Sequence, residues 1–190
     1  MILVIDTSSA SVATIATIGK GYGETLAPRG PQALTEAISG YVRSGKLSKV
    51  AVATGPGSFT GLRVGASVAL GVAIGLRIPI VPLPTLGLQA ARSDEPVTAV
   101  AEAGRGRFYF RLPGKADALG EPADIPRTYP LVGRVANREG PFLAAGHRFK
   151  PEQELRRFVE AADILLKTAK EVAYGSLEIE YMQSFSASNR

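Results

Sequence analysis

The sequence predicts an α/β fold arranged as two lobes. Three observations carry that expectation. A nearly continuous apolar run, MILVID, opens the chain and stops at Asp6. A second apolar run, VAVAT over residues 50–54, feeds directly into GPGSFTGLRVG over residues 55–65 and then into a long Ala/Gly/Val/Leu segment. After Pro96 a weaker version of the opening returns, VTAVAEA, a glycine turn and RFYFRL.

Taken in order, residues 1–6 read as a buried first strand, and SVATIATI over residues 11–18 as a second, β-branched one. Gly19, Gly21 and Gly23 turn the chain into a third strand. Residues 31–43 have helical spacing, with Leu34, Ile38 and Val42 on one face and Gly45 to end the helix. Residues 50–54 form a central strand. Ser58 is suited to cap the helix that follows over 58–77, because its hydroxyl can accept from a free first-turn N–H. Residues 78–84 are extended and broken by prolines. In the second lobe, PFLAAG over residues 141–146 reads as a short strand and residues 151–174 as an amphipathic helix with Leu155, Phe158, Val159, Ala162, Leu165 and Leu166 inward. Five residues, Pro113, Pro122, Pro126, Pro130 and Gly140, leave little regular structure expected between 113 and 140. The polar tail is expected to be disorder-prone. The lobes divide as residues 1–95 and 96–190.

Composition narrows the function. At 45% hydrophobic, 190 residues can build a real core, and the absence of cysteine excludes disulfides and thiolate metal sites. The opening lacks a basic leader and reaches Asp6 at once, so no signal peptide is expected. The longest uncharged apolar run, residues 64–76, has thirteen residues, short of the roughly 20 that a membrane span needs. A cytoplasmic protein with no membrane contact is therefore expected. The net charge of +5 is uneven: residues 1–95 carry +3, residues 96–151 carry +4 and residues 152–190 carry −2. The middle third can meet a polyanion through Arg105, Arg107 and Arg111, or be an ordinary solvated surface, which is the favoured reading.

The glycine segment carries the chemistry. It is not a P-loop, since no Gly-Lys-Ser/Thr follows. Its bare N–H groups, at Gly55, Gly57, Ser58 and Thr60, can face an anion. Asp6, Thr7 and Ser8, at a strand end, can hold a metal and phosphate oxygens or simply satisfy turn N–H groups; the second reading is favoured. Gly57, Gly61, Gly65, Ala69 and Ala73 recur every four residues, with Gly71 and Gly75 toward another face. Each interior glycine costs about 1 kcal/mol against alanine. Close backbone approach would offset that cost, from the lobe's own sheet or from another protein. His147, the single histidine, sits in a glycine-flanked turn with no motif to make it a base, and is expected to be a surface or cap residue.

GPGSFTGLRVG with its Ala/Gly-rich helix, the opening MILVIDTSSASVATIA, PTLGLQA over residues 84–90 and GRGRFYF over residues 104–110 together resemble the bacterial TsaB (YeaZ) family. The resemblance is close over residues 1–110 and weak beyond. It implies the two-lobed actin/sugar-kinase/Hsp70-like (ASKHA) fold with a reduced second lobe. It implies a non-catalytic scaffold that supports a TsaD-type threonylcarbamoyltransferase acting on an anticodon-loop adenosine of tRNA, in a larger complex with a TsaE-type ATPase. Contact with tRNA would be indirect at most. The catalytic relative holds its metal through His-x-x-x-His on the first long helix; residues 31–43 contain no histidine, and the H-E-x-x-H that a "glycoprotease" label would require is absent. No catalytic residue, metal or cofactor is therefore expected.

The resemblance places the partner surface on the two helices, at Gln32, Thr35, Glu36 and Ser39 on the first and Phe59, Arg63, Ala66 and Leu70 on the second. The same patch would serve a homodimer, and Ala66→Glu would block pairing while leaving the lobe folded. The alternative is an actin-like ATPase or phosphotransferase acting on a small molecule through Asp6, Thr7, Ser8 and the 55–60 loop. The chain departs from the family at Glu102, where aspartate is usual, and at residues 179–183, where only Tyr181 remains of a Pro-x-Tyr-x-Arg motif.

Overall fold

The computed structural model describes residues 1–135 and 138–180. Tyr181, Met182 and Gln183, together with the polar tail, lie outside the described residues. Five strands form the first sheet: β1 (Ile2–Asp6), β2 (Val12–Ile18), β3 (Tyr22–Pro28), β4 (Lys49–Gly55) and β5 (Ile80–Pro84), in the order β3-β2-β1-β4-β5. β1, β4 and β5 run parallel, with Leu3 opposite Val50 and Ala51 opposite Val81, while β2 and β3 are antiparallel.

Helices cover both faces of this sheet, which explains why MILVID does not alternate. Leu3 and Ile5 point to one face, packed with Leu34 and Ile38 of α1 (Pro31–Arg43) and Ala69 and Ala73 of α2 (Phe59–Leu76). Val4 points to the other, packed with Leu88 of α3 (Thr85–Ala90) and Phe158, Val159 and Ala162 of α5 (Phe158–Leu166).

The second sheet is β8 (Ala118–Gly120), β7 (Arg107–Arg111), β6 (Thr98–Gly104) and β9 (Leu131–Val132), in that order. One face holds Val100, Phe108, Phe110 and Phe142, the last on α4 (Glu139–Ala144). The opposite face meets Leu86 of α3 through Ala99, Ala101 and Tyr109. α3 is thus the shared wall: Leu88 serves the first sheet and Leu86 the second.

Several expectations are corrected. PFLAAG is helix, not strand. A six-residue apolar run has no distinguishing period, and here Phe142 is buried while its neighbour Leu143 is 58% exposed. The helix expected over 151–174 is confined to Phe158–Leu166, because residues 167–176 leave it to cross the first sheet: the Val172 N–H donates to the Ile80 carbonyl at 3.0 Å, and the Tyr174 hydroxyl to the Ile78 carbonyl at 3.0 Å. α3 was not foreseen as a helix. His147 is buried, not a surface residue: its Nε2 lies 2.8 Å from the Pro122 carbonyl and its ring stands edge-on to Phe142. α2 extends the thirteen-residue run to 18 residues at mean hydropathy 1.6, long and apolar enough to cross a membrane by length and composition alone. Its apolarity is used here on one face, where Gly61, Leu62, Gly65, Ala66, Ala69 and Ala73 are buried.

Candidate functional site

The turn after β1 and the start of α2 form one packed unit. The Ser8 N–H donates to Asp6 Oδ1 at 2.8 Å, the Thr7 hydroxyl donates to the Gly61 carbonyl at 2.7 Å, and the Ser58 N–H donates to the Ser8 carbonyl at 2.7 Å. Ser58 caps α2 as its position predicts, accepting from the Gly61 N–H at 3.3 Å. Arg29, which sequence reasoning missed, ties the unit together: Nη1 donates to the Ala10 carbonyl at 2.6 Å and Nη2 to Ser58 Oγ at 3.0 Å.

The glycines are there for close approach. A side chain at Gly57 would stand 2.7 Å from the Ser8 carbonyl oxygen; one at Gly61 would strike the Thr7 carbonyl, and one at Gly65 would strike Thr7 Oγ1. The four-residue stripe of small side chains is therefore filled by this chain's own turn and sheet. The Thr7 hydroxyl and the Ser8 carbonyl are turned onto the start of α2 and its cap, while the Asp6 carboxylate is held within its own turn by the Ser8 N–H. At Gly55 the approach comes from the C-terminal segment, whose Glu180 N–H donates to the Thr54 carbonyl at 2.8 Å.

Burial raises the Asp6 carboxyl above the ordinary carboxylate range, opposed by its bond from Ser8 and by the charge of Arg134. A carboxyl with a raised folded-state pKa binds more protons folded than unfolded. Its stabilisation is complete below the unfolded value and is lost as the pH rises through the folded one. Asp6→Asn keeps an oxygen for the Ser8 N–H without the charge. It is expected to melt at or above the parent temperature at neutral pH, with the difference shrinking as the pH falls through the raised folded-state value and levelling off below about 4, where the parent carboxyl is neutral in both states. A variant less stable at pH 7 than at pH 3, relative to the parent, would contradict the burial argument.

The sequence-predicted partner residues divide. Thr35 and Ser39 line a groove of about 530 Å³ between α1 and α2, whose floor and walls include Ile38, Val42, Val68, Val72 and Leu76. Gln32 and Glu36 lie exposed on α1, joined by a 2.9 Å bond from Gln32 Nε2 to Glu36 Oε1. At the other end, the Arg63 guanidinium stacks 3.9 Å over the ring of Phe59, which is 44% exposed. Leu70 is half-buried against the first core. Ala66 does not belong with them: at 5% exposure it is buried in its own chain, because it follows Gly65 on the sheet-facing side.

Sequence reasoning set Gly71 and Gly75 on another face of α2 without assigning them to the partner surface. Both line the groove, and a side chain added at either meets nothing within 4 Å. The signal was present in their four-residue spacing on a face other than that of Gly61 and Gly65. Ile74, between them in sequence, is 54% exposed. Among the described residues no three of His, Cys, Asp and Glu stand close enough to share a metal ion.

The chain matches the family model described as TsaD, tRNA N6-adenosine threonylcarbamoyltransferase, over residues 20–171. It is 37% identical over 70 residues to the tRNA threonylcarbamoyladenosine biosynthesis protein TsaB of Haemophilus influenzae, a match covering 34% of this chain and 30% of that protein. To the protein of the same description from Bacillus subtilis it is 41% identical over 69 residues, covering 35% and 30%. The matched stretch is thus about a third of the length of these curated relatives. The structure is similar to YeaZ from Pseudomonas aeruginosa, with a TM-score of 0.73 at 18% identity over 95% of this chain and 99% of that one. A second structure, described by its similarity to peptidase YeaZ from the same organism, superimposes with a TM-score of 0.68 at 18% identity, over 96% of this chain and 99% of that one.

Proposed function

The chain belongs to the TsaB (YeaZ) family, within the span of the TsaD family model, and from that premise we propose that it is a non-catalytic scaffold subunit in tRNA threonylcarbamoyladenosine biosynthesis. Its α1/α2 face receives a TsaD-type catalytic subunit, with a TsaE-type ATPase completing the assembly. In the absence of that partner a second copy of this chain occupies the same face.

The observation that carries the proposal is the division of glycines along α2. Gly61 and Gly65 are offset inside the chain by the turn at Thr7. Gly71 and Gly75 are exposed, a side chain at either would meet nothing within 4 Å, and Gly71 stands in the helix interior, where it costs about 1 kcal/mol against alanine. An approaching backbone from outside would recover that cost, and the apolar groove beside them gives it somewhere to seat. Thr35 and Ser39 line this groove and would help fix its register.

The non-catalytic part of the proposal is supported by the commitment of Asp6, Thr7 and Ser8 to internal bonds. Titration calorimetry with Mg-ATP separates it from the phosphotransferase reading: tight binding abolished by Asp6→Ala would favour a nucleotide enzyme. The scaffold itself is tested by co-purification with the TsaD-type protein of the same organism, followed by a tRNA threonylcarbamoylation assay with and without this chain. A stable complex whose activity depends on the chain is the expected result. Full activity without it would overturn the proposal.

A further inference from the structure

The β6–β7 hairpin is not engaged by the α1/α2 face. Its strands pair through Glu102 opposite Phe108 and Gly104 opposite Arg107, leaving Arg105 and Gly106 as a two-residue turn. Both have positive φ, 53° at Arg105 and 76° at Gly106. Two-residue turns of this handedness favour Asn-Gly, Asp-Gly or Gly-Gly, since a bulky side chain in the left-handed region is strained. This turn instead holds an exposed arginine at its first position. Arg107 follows, half-buried, at the start of β7. Neither makes an ion pair among the described residues. Arg111, by contrast, is taken by Asp117, and Arg138 leans on Glu102 at 3.2 Å.

The aromatics between these arginines do not join them on the surface. Phe108, Tyr109 and Phe110 are all buried, in the cores on the two faces of the second sheet. The tip therefore offers cationic forks without a stacking platform and without an apolar centre. None of the exposed large apolar side chains lies on the hairpin. A protein partner would call for an apolar centre; contact with a phosphate backbone needs only the guanidinium forks.

We propose that the β6–β7 tip is an RNA-backbone contact, in which Arg105 and Arg107 each meet a phosphate and position the RNA without reading its sequence. RNA as the polyanion rests on the scaffold reading above; the cationic tip itself does not.

The test uses the full chain, alone and in complex with the TsaD-type subunit, and an unmodified tRNA transcript, with affinity measured by fluorescence anisotropy from about 50 to 200 mM salt. Each phosphate contact contributes about 0.7 to 0.9 to the steepness of log affinity against log salt. Arg105→Asn creates the favoured Asn-Gly turn, so it should melt at or above the parent temperature while its salt slope flattens by about one such increment. Adding Arg107→Gln should flatten the slope by about two increments and weaken binding roughly tenfold at low salt. Arg105→Lys should retain the parent slope.

An unchanged slope in the double variant overturns the proposal. So does a loss of binding to poly-L-glutamate, with none to tRNA, which would make the tip a contact for an acidic protein. Capture of the TsaD-type subunit by the same variants should be unaffected. If no complex forms with any variant but the slope still flattens, the hairpin contact stands and the scaffold reading falls.

Discussion

Gly61→Ala is expected to destabilise the protein by about 3 kcal/mol or more, although alanine is the better helix former. Helix propensity favours the substitution by about 1 kcal/mol. The new methyl group, however, would strike the Thr7 carbonyl, a backbone atom fixed at the end of β1 and unable to rotate away. Either the turn or the helix must move, and Gly57 and Gly65 press on the same turn. Chemical denaturation should show a lower midpoint at unchanged slope.

Gly65→Ala differs in kind, because the obstacle there is the Thr7 hydroxyl, a side chain. Rotation relieves the clash but forfeits the bond to Gly61, a loss of about 1 kcal/mol. In a Thr7→Ala background the hydroxyl is gone and only the residue-7 Cβ remains, 3.3 Å away, so Gly65→Ala should then be better tolerated, with a coupling of about 1 kcal/mol between the two sites. Thr7→Ala should not rescue Gly61→Ala. Additive behaviour of Thr7 and Gly65, or rescue at Gly61, would refute the packing described here.

Gly71→Arg is expected to have the largest effect on function and almost none on fold. Its side chain would enter open space on the groove wall, and replacing a mid-helix glycine should leave stability unchanged or raise it by up to about 1 kcal/mol. A charged, bulky group there would keep another backbone away from α2. Capture of the TsaD-type subunit should weaken at least a hundredfold, about 2.7 kcal/mol, and self-association through the same face should disappear. Circular dichroism and light scattering on the same sample separate the two readouts. A folded Gly71→Arg protein that still pairs at parental strength would remove the groove from the interface. Ala66→Glu cannot serve this purpose: with Ala66 buried, a carboxylate there would enter the protein's own interior.

The contrast between Gly61 and Gly71 shows how far the site was legible. Both stand in the same glycine-rich segment, and periodicity separates their faces. It does not say which face meets the sheet. The sheet decides that, because the Thr7–Ser8 turn reaches α2 only after β1 and β4 have paired, with Ile5 opposite Val52. Ala66 was misassigned for the same reason, lying one residue past the sheet-facing Gly65. The 141–146 run was misread because six residues span too little of either period to separate helix from strand, and only the Phe142 contacts with Phe108 and Phe149 select the helix. The helix expected to run to 174 ends at Leu166 because the apolar residues that follow it, Val172 and Leu177, pack half-buried against the core on the other face of the first sheet.

The sequence by itself determined the α/β class, the strand and helix order from β1 to β5, the Ser58 cap and the family, because these rest on local signals: apolar runs, capping chemistry, glycine spacing and a long motif. The tertiary structure alone decided which glycines are filled from within and which stand open. It alone buried His147 and Ala66 and left Arg105 exposed on a strained turn. Each of these depends on what comes to lie beside a residue from far along the chain, and that is set by strand pairing and helix packing rather than by any short stretch of residues.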